Sequence, residues 1–188
     1  NKITNIVDAE GQVKVEDVVN NYIIFSDTAK YKKNEEIIIA EGNSKGIDDK
    51  NRTITSDKLT YNKITNIVDA EGQVKVEDVK RNNTILSEKL IYFRNIEKIT
   101  TFGFTKANIE NKQQIESSNA TYLLDKKELS SKKKSIIRDN NDQIYYLDEF
   151  IYYEDTDLLK GKNVLIITNY NLPKSDKFYF ADGIFNLK

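Results

Sequence analysis

The sequence predicts an all-β fold, assembled from repeats of about 30 residues into two facing sheets. Three observations predict it. A phrase related to Ala-Glu-Gly returns with its glycine at Gly11, Gly42, Gly72, Gly103 and Gly161, in steps of 31, 30, 31 and 58, as if one unit, centred near Lys133, lacks its glycine. A second phrase keeps the same step: Ser26-Asp27-Thr28-Ala29-Lys30-Tyr31, then Ser56 to Tyr61, Ser87 to Tyr92, Ser117 to Tyr122, Leu147 to Tyr152 and Ser175 to Phe180. Finally, Asn1 to Val18 is identical to Asn62 to Val79, an offset of 61 that equals two repeat units.

One unit, Thr53 to Asp78, shows why these are strands. Thr55, Asp57, Leu59 and Tyr61 share one parity, while the polar Ser56, Lys58 and Thr60 share the other. That alternation is the period-two signature of a strand. The polar Asn62-Lys63 marks a turn. Ile64, Val68, Ala70, Gly72, Val74 and Val76 then share a parity with mostly polar residues between them, giving a second, long strand. Helical periodicity is absent. The single proline, Pro173, interrupts the pattern before the last Ser-Asp phrase. A glycine in mid-strand weakens it unless the strand bulges or bends there. Recurring in one column, it predicts a bend that lets each long strand serve two facing sheets.

The inward faces then carry two files. One is Ala29, Leu59, Leu90, Ala120, Phe150 and Phe178; the other is Tyr31, Tyr61, Tyr92, Tyr122, Tyr152 and Phe180. Val13, Val15, Val74, Val76, Ile99, Leu165 and Ile167 extend this apolar set. The aromatic column reads either as a packing ladder or as the wall of an apolar groove, with tyrosine suited to a groove rim by its apolar body and wet hydroxyl. Asp27, Asp57, Glu88, Asp148 and Asp176 form a carboxylate column. Their shared parity with the apolar files places them at the strand entrance, at the groove edge.

Composition excludes much chemistry. Among 188 residues there is no His and no Cys, which removes imidazole bases and metal ligands, Ser/His triads and thiol nucleophiles. The glycines lie too far apart for a phosphate-binding loop. The pairs Asp48-Asp49 and Asp155 with Asp157 read as loop solvation rather than as a calcium site or a glycosidase pair. No cofactor is expected. A net charge of −1 provides no field for nucleic acid, and the run Lys132-Lys133-Lys134 reads as a solvated face. Charged residues at 31% against hydrophobic residues at 38% suit a thin two-layer core. With no Met at the start, the chain is expected to be a piece of a longer protein, a single repeat domain spanning 1–188.

The pattern Ser-Asp-x-(Ala/Leu)-x-Tyr, followed by Ala-Glu-Gly-x-Val-x-Val, resembles the OstA-like repeats of lipopolysaccharide-transport proteins. Thr53 to Asp78 matches best, with Gly72-Gln73-Val74-Lys75-Val76 in the G-x-V position. Among these proteins the chain looks like LptA, and most like the periplasmic N-terminal domain of LptD, because its last units are irregular at Lys133 and at Leu172-Pro173. The resemblance implies an antiparallel two-sheet open jelly roll, folded like a tortilla (a β-taco). It implies a non-enzymatic, periplasmic protein near the outer membrane of a Gram-negative bacterium. It implies that lipopolysaccharide acyl chains lie in a groove lined by the files above. Other Lpt domains would join by edge-strand addition, and in the LptD case an outer-membrane barrel follows on the same chain. The chain departs from the family pattern in two ways: the cysteines that LptD commonly uses are missing, and the glycine and valine signals are weak between Lys126 and Asn140. A structural or adhesive surface β-solenoid would share the repeat but fill its core with side chains. A polysaccharide-cleaving repeat enzyme would cluster carboxylates on one sheet face.

Overall fold

The computed structural model describes residues 5–187, so the first four residues of the duplicated segment lie outside it. Strands β1 (Ile6–Asp17), β2 (Tyr22–Lys32), β3 (Ile37–Ile47), β4 (Thr53–Asn62), β5 (Ile67–Asp78), β6 (Asn83–Phe93) and β7 (Lys98–Ile109) form an antiparallel meander. The next three long strands are each split at the middle, into β8 (Gln113–Ser118) with β9 (Thr121–Leu123), β10 (Glu128–Ser131) with β11 (Ser135–Arg138), and β12 (Gln143–Leu147) with β13 (Glu149–Tyr153). The long strands β14 (Leu158–Thr168) and β15 (Lys177–Asn186) close the array. The weak stretch from Lys126 to Asn140 keeps both ladders, β10 pairing with β9 and β13, and β11 with β8 and β12.

Each long strand bends at its middle. Register slips at Glu10/Val13, Glu41/Ser44 and Glu71/Val74 mark bulges, and Gly11, Gly42, Gly72 and Gly103 sit there at φ between 75° and 78°. That region of backbone space is open to glycine and strained for other residues. Gln12, Asn43 and Gln73 follow in left-handed geometry as well. The serine of the repeated phrase caps the bend: Ser26, Ser56 and Ser87 Oγ donate to the carbonyls of Thr28, Lys58 and Lys89. The acid of the phrase lies over the glycine of the next strand: Asp27 over Gly42, Asp57 over Gly72 and Glu88 over Gly103. Asp27, Asp57 and Glu88 of the carboxylate column therefore stand in mid-strand on the outside of the bend, and Asp148 at the split between β12 and β13, not at the strand entrance; Asp176 lies in the loop before β15. The bulge moves the first three out of the parity that straight alternation assigns.

The bends divide the strands into two leaves that face each other. In the first leaf one inward row crosses every strand, alternating aromatic and aliphatic: Val7, Tyr31, Ile38, Tyr61, Val68, Tyr92, Ile99, Tyr122, Leu129, Tyr152, Leu159 and Phe185. In the second leaf the matching row includes Ile24, Ile54, Val76, Ile85, Ala107, Ile115, Ile137 and Tyr145. Contacts such as Tyr22 against Tyr61, with ring centroids 4.9 Å apart, join the leaves into one core.

The leaves are sheared. The turn at 17–21 of the second leaf meets the turn at 63–66 of the first, and 48–52 meets 94–97, a displacement of about one and a half repeats. The first leaf therefore overhangs at the start of the array and the second at its end. Val7 is 45% exposed at one overhang; Phe178 and Phe180 are 47% and 41% exposed at the other.

Candidate functional site

The candidate site is the apolar interior between the leaves. Most of the residues expected to line a groove do face inward. Leu59, Tyr61, Val74, Val76, Leu90, Tyr92, Ile99, Ala120, Tyr122, Phe150 and Tyr152 are all buried in the core. Ala29 and Tyr31 face the same way and are half-buried at the first overhang; Val15, opposite Ile24 in the second leaf, is half-buried against the core, and Val13 stands opposite Ser26. Among the described residues the interior is filled by these side chains and holds no open groove.

Four expected lining residues are placed otherwise. Leu165 and Ile167 lie on the outer face, half-buried, while Val164 and Ile166 point inward. The cause is a shorter bend in β14. Gly161 pairs with Phe150, as Ala70 pairs with Leu59, so it occupies the alanine row and not the glycine column. Asn163, at φ 49°, takes the left-handed position, and its Nδ2 donates to Asp148 as Asn43 donates to Asp27. One residue fewer in the bend inverts the parity beyond it. Phe178 and Phe180 face inward but in the second leaf, opposite Ile166 and Val164, and stay largely exposed, Phe180 meeting the Phe185 ring edge-on at 5.4 Å. Phe185 occupies the tyrosine row instead, packing 5.8 Å from the ring of Tyr145.

The mouth opposite the bends is closed by side chains of facing turns. Asn20 Nδ2 donates to the Lys63 carbonyl at 3.3 Å. The Arg94 guanidinium donates to the Asn20 carbonyl at 2.9 Å and stacks over Tyr22. Arg52 is held by Asp48 at 2.7 Å, Glu97 at 2.6 Å and the Tyr92 hydroxyl at 2.5 Å. Arg81 donates to the Leu124 carbonyl, Asn83 to Glu154, and Gln113 to Asp157. The inward tyrosines end here too: Tyr61 donates to Asp17, Tyr122 to Glu154 and Tyr152 to Asp157. Burial first, then these carboxylates, raises the three phenols well above their ordinary value. Burial pushes Glu97 upward, but hydrogen bonds from Arg52 and Lys50 outweigh it and leave the carboxyl below its usual range.

This closure escaped the sequence reading, although one signal for it exists. Asp17, Asp48, Asp78 and Asp139 share the repeat step, and each accepts turn amide hydrogen bonds at the end of a second-leaf strand. The residues at or just before the start of the following strands, Tyr22, Arg52, Asn83, Gln113 and Gln143, keep the same step. Asp48 thus belongs to a structural ion pair. Among the described residues no group of three or more His, Cys, Asp or Glu side chains is arranged to hold a metal ion.

The fold and site define an antiparallel two-sheet repeat sandwich with an apolar interior and a polar, side-chain-closed mouth. No known protein family matches the chain, and no curated protein does. Among solved structures, the chain is similar to LptH, described as the LptA-homologous periplasmic component of the conserved lipopolysaccharide transport device from Pseudomonas aeruginosa. The identity is 14%, the match covers 54% of this chain and 75% of that one, and the TM-score is 0.49.

Proposed function

We propose that this chain is a lipopolysaccharide-transport module of the OstA-like type, which shields acyl chains between its two leaves in the periplasm. The observation that carries the reading is the difference between the bend and the mouth. Backbone ladders hold every strand to its neighbours, whereas the mouth is held only by side chains of facing turns. The leaves therefore part along the mouth without breaking a strand pair. Parting exposes an apolar row that runs across the whole array. Burying one CH₂ is worth ~0.8 kcal/mol, so an acyl chain of roughly a dozen carbons resists water by about 10 kcal/mol. Entry of such a chain offsets the lost side-chain contacts, while sugars and phosphates stay in water. Near-equivalent repeats give near-equivalent positions, so a chain slides without a deep trap.

Two free edges fit partner domains. Among the described residues β1 pairs only with β2 and β15 only with β14, so each leaves one side open to strand addition. On this reading the partners are other Lpt domains and, if the chain is the LptD domain, a barrel beyond it. The irregular last units favour LptD over LptA. The filled interior favours a second reading, a structural surface module with no lipid.

Photo-crosslinking separates the two. A photoreactive residue at Tyr61, Leu90 or Tyr92 is expected to capture lipopolysaccharide, and one at Lys58, which faces outward toward Glu41, is not. A folded protein that gives no adduct at the inward positions leaves the structural reading.

A further inference from the structure

The outer surface carries a trough of about 760 Å³ where the split strands meet the end of the array. Its floor is one cross-strand line, Thr121, Ser130, Ile151, Lys160 and Ile184, running over β9, β10, β13, β14 and β15. Beside it the backbones of Gly161 and Gly183, paired across β14 and β15, complete the floor; side chains at these two positions would point inward, toward Leu147 and Phe185. The residues that replace the glycine bulge in the irregular unit, Lys132 and Lys133, rise along the wall with Glu149, Lys162 and Asp182.

Its charge is uneven. Lys162 pairs with Glu149 at 3.3 Å, and Lys160 lies 5.0 Å above the Tyr153 ring. Lys132 and Lys133 are exposed and form no ion pair among the described residues. Two free cations thus stand over a partly apolar floor, within a volume of the size that small ligands occupy. The feature lies on the opposite face of the sheet from the interior and owes nothing to it.

We propose that this trough binds a small anionic amphiphile, with a phosphate or carboxylate head against Lys132 and Lys133 and a short apolar chain along Ile151 and Ile184. The test is titration of the isotope-labelled full chain with octyl phosphate, followed by amide chemical shifts. Inorganic phosphate and octanol serve as separate arms. Saturable shifts at Lys132, Lys133, Ile151 and Ile184 are expected with octyl phosphate, weakening as salt is raised. Reversing both charges, Lys132→Glu with Lys133→Glu, is expected to cut affinity about tenfold, from the loss of two exposed charge contacts. The control Lys126→Glu with Lys134→Glu, outside the trough, should bind as the parent does. Shifts confined to the interior row, no saturation, or equal affinity in the charge-reversed variant would overturn the proposal. Inorganic phosphate binding as tightly as octyl phosphate would also overturn it, leaving a plain anion site. None of these results depends on crosslinking in the interior.

Discussion

Asp57 lies directly over Gly72, so that a carbon placed on the glycine would stand 2.9 Å from Asp57 Cβ and collide with its carboxylate. Gly11, in an identical sequence at φ 78°, has nothing within 4 Å of the same position, because β1 is an edge strand. The pair separates backbone strain from crowding. Gly11→Ala is expected to cost about 1 kcal/mol, the left-handed penalty alone. Gly72→Ala should cost roughly 1–3 kcal/mol more for displacing Asp57. Urea unfolding of both variants measures the difference, and equal costs would contradict the packing described.

Tyr22 and Tyr61 touch, yet their hydroxyls fare differently. Tyr61 donates to Asp17 at 2.9 Å, whereas the buried Tyr22 hydroxyl has no partner among the described residues. An unsatisfied buried hydroxyl costs about 1–3 kcal/mol. Tyr22→Phe is therefore expected to stabilise the protein by about 1 kcal/mol, and Tyr61→Phe to destabilise it by a similar amount. Thermal unfolding that shows the two variants shifting together would count against this.

The mouth should weaken in acid. Glu97 and Asp17 are held below their ordinary values of 4.5 and 3.8; in each, burial pushes upward and the hydrogen bonds from Arg52 and Lys50, or from Asn20 and Tyr61, prevail. A depressed carboxyl contributes stability above its unfolded value and loses it as pH falls through the folded one. Stability should drop below about pH 4.5. Glu97→Gln should be less stable than the parent at pH 7 and converge on it in acid. A constant gap across that range would show that Arg52 does not depend on the Glu97 charge.

The alkaline side mirrors this. Tyr22, Tyr61, Tyr92, Tyr122, Tyr145 and Tyr152 are all raised, burial being the largest cause in each. Their neutral forms stabilise the fold fully below the ordinary phenol value of 10.0 and progressively less above it. Ultraviolet titration should show these six phenols ionising only as the fold is lost, together with the circular dichroism change. Smooth ionisation in a protein that remains folded would disprove the burial.

How much of this was readable beforehand follows from what repeats. The bend, the glycine column and the tyrosine row repeat in sequence, so their faces were legible from Ala29 to Tyr152. β14 and β15 were not, because Gly161 imitates the column while sitting one row away, and Ser175-Asp176 imitates a phrase that lies in a loop. A bend shortened by one residue leaves no local mark, yet it inverts every side chain beyond it. The mouth was missed because its pairs lie some 40 to 70 residues apart and join different residue types at each turn. The twelve residues of β1 and β5 make this plain: Val68, Ala70, Val74 and Val76 are buried in β5, while their identical counterparts Val7, Ala9, Val13 and Val15 in β1 are exposed or half-buried, since the neighbours decide.

The shear between the leaves gives the array a grain. Each end is cut like half of a scarf joint, with the first leaf protruding at one end and the second at the other. Between two such arrays of the described residues, only unlike ends are complementary in shape. A start joined to an end would lay Val7 beside Phe185 and Val13 beside Phe180, extending both leaves in register, whereas two like ends would leave both overhangs bare. Charge at Phe178, the more exposed of the two inward phenylalanines of this overhang, should spoil such a joint, which sedimentation of Phe178→Lys would reveal. Any assembly built on this joint runs one way, and its interior has a direction before any partner supplies one.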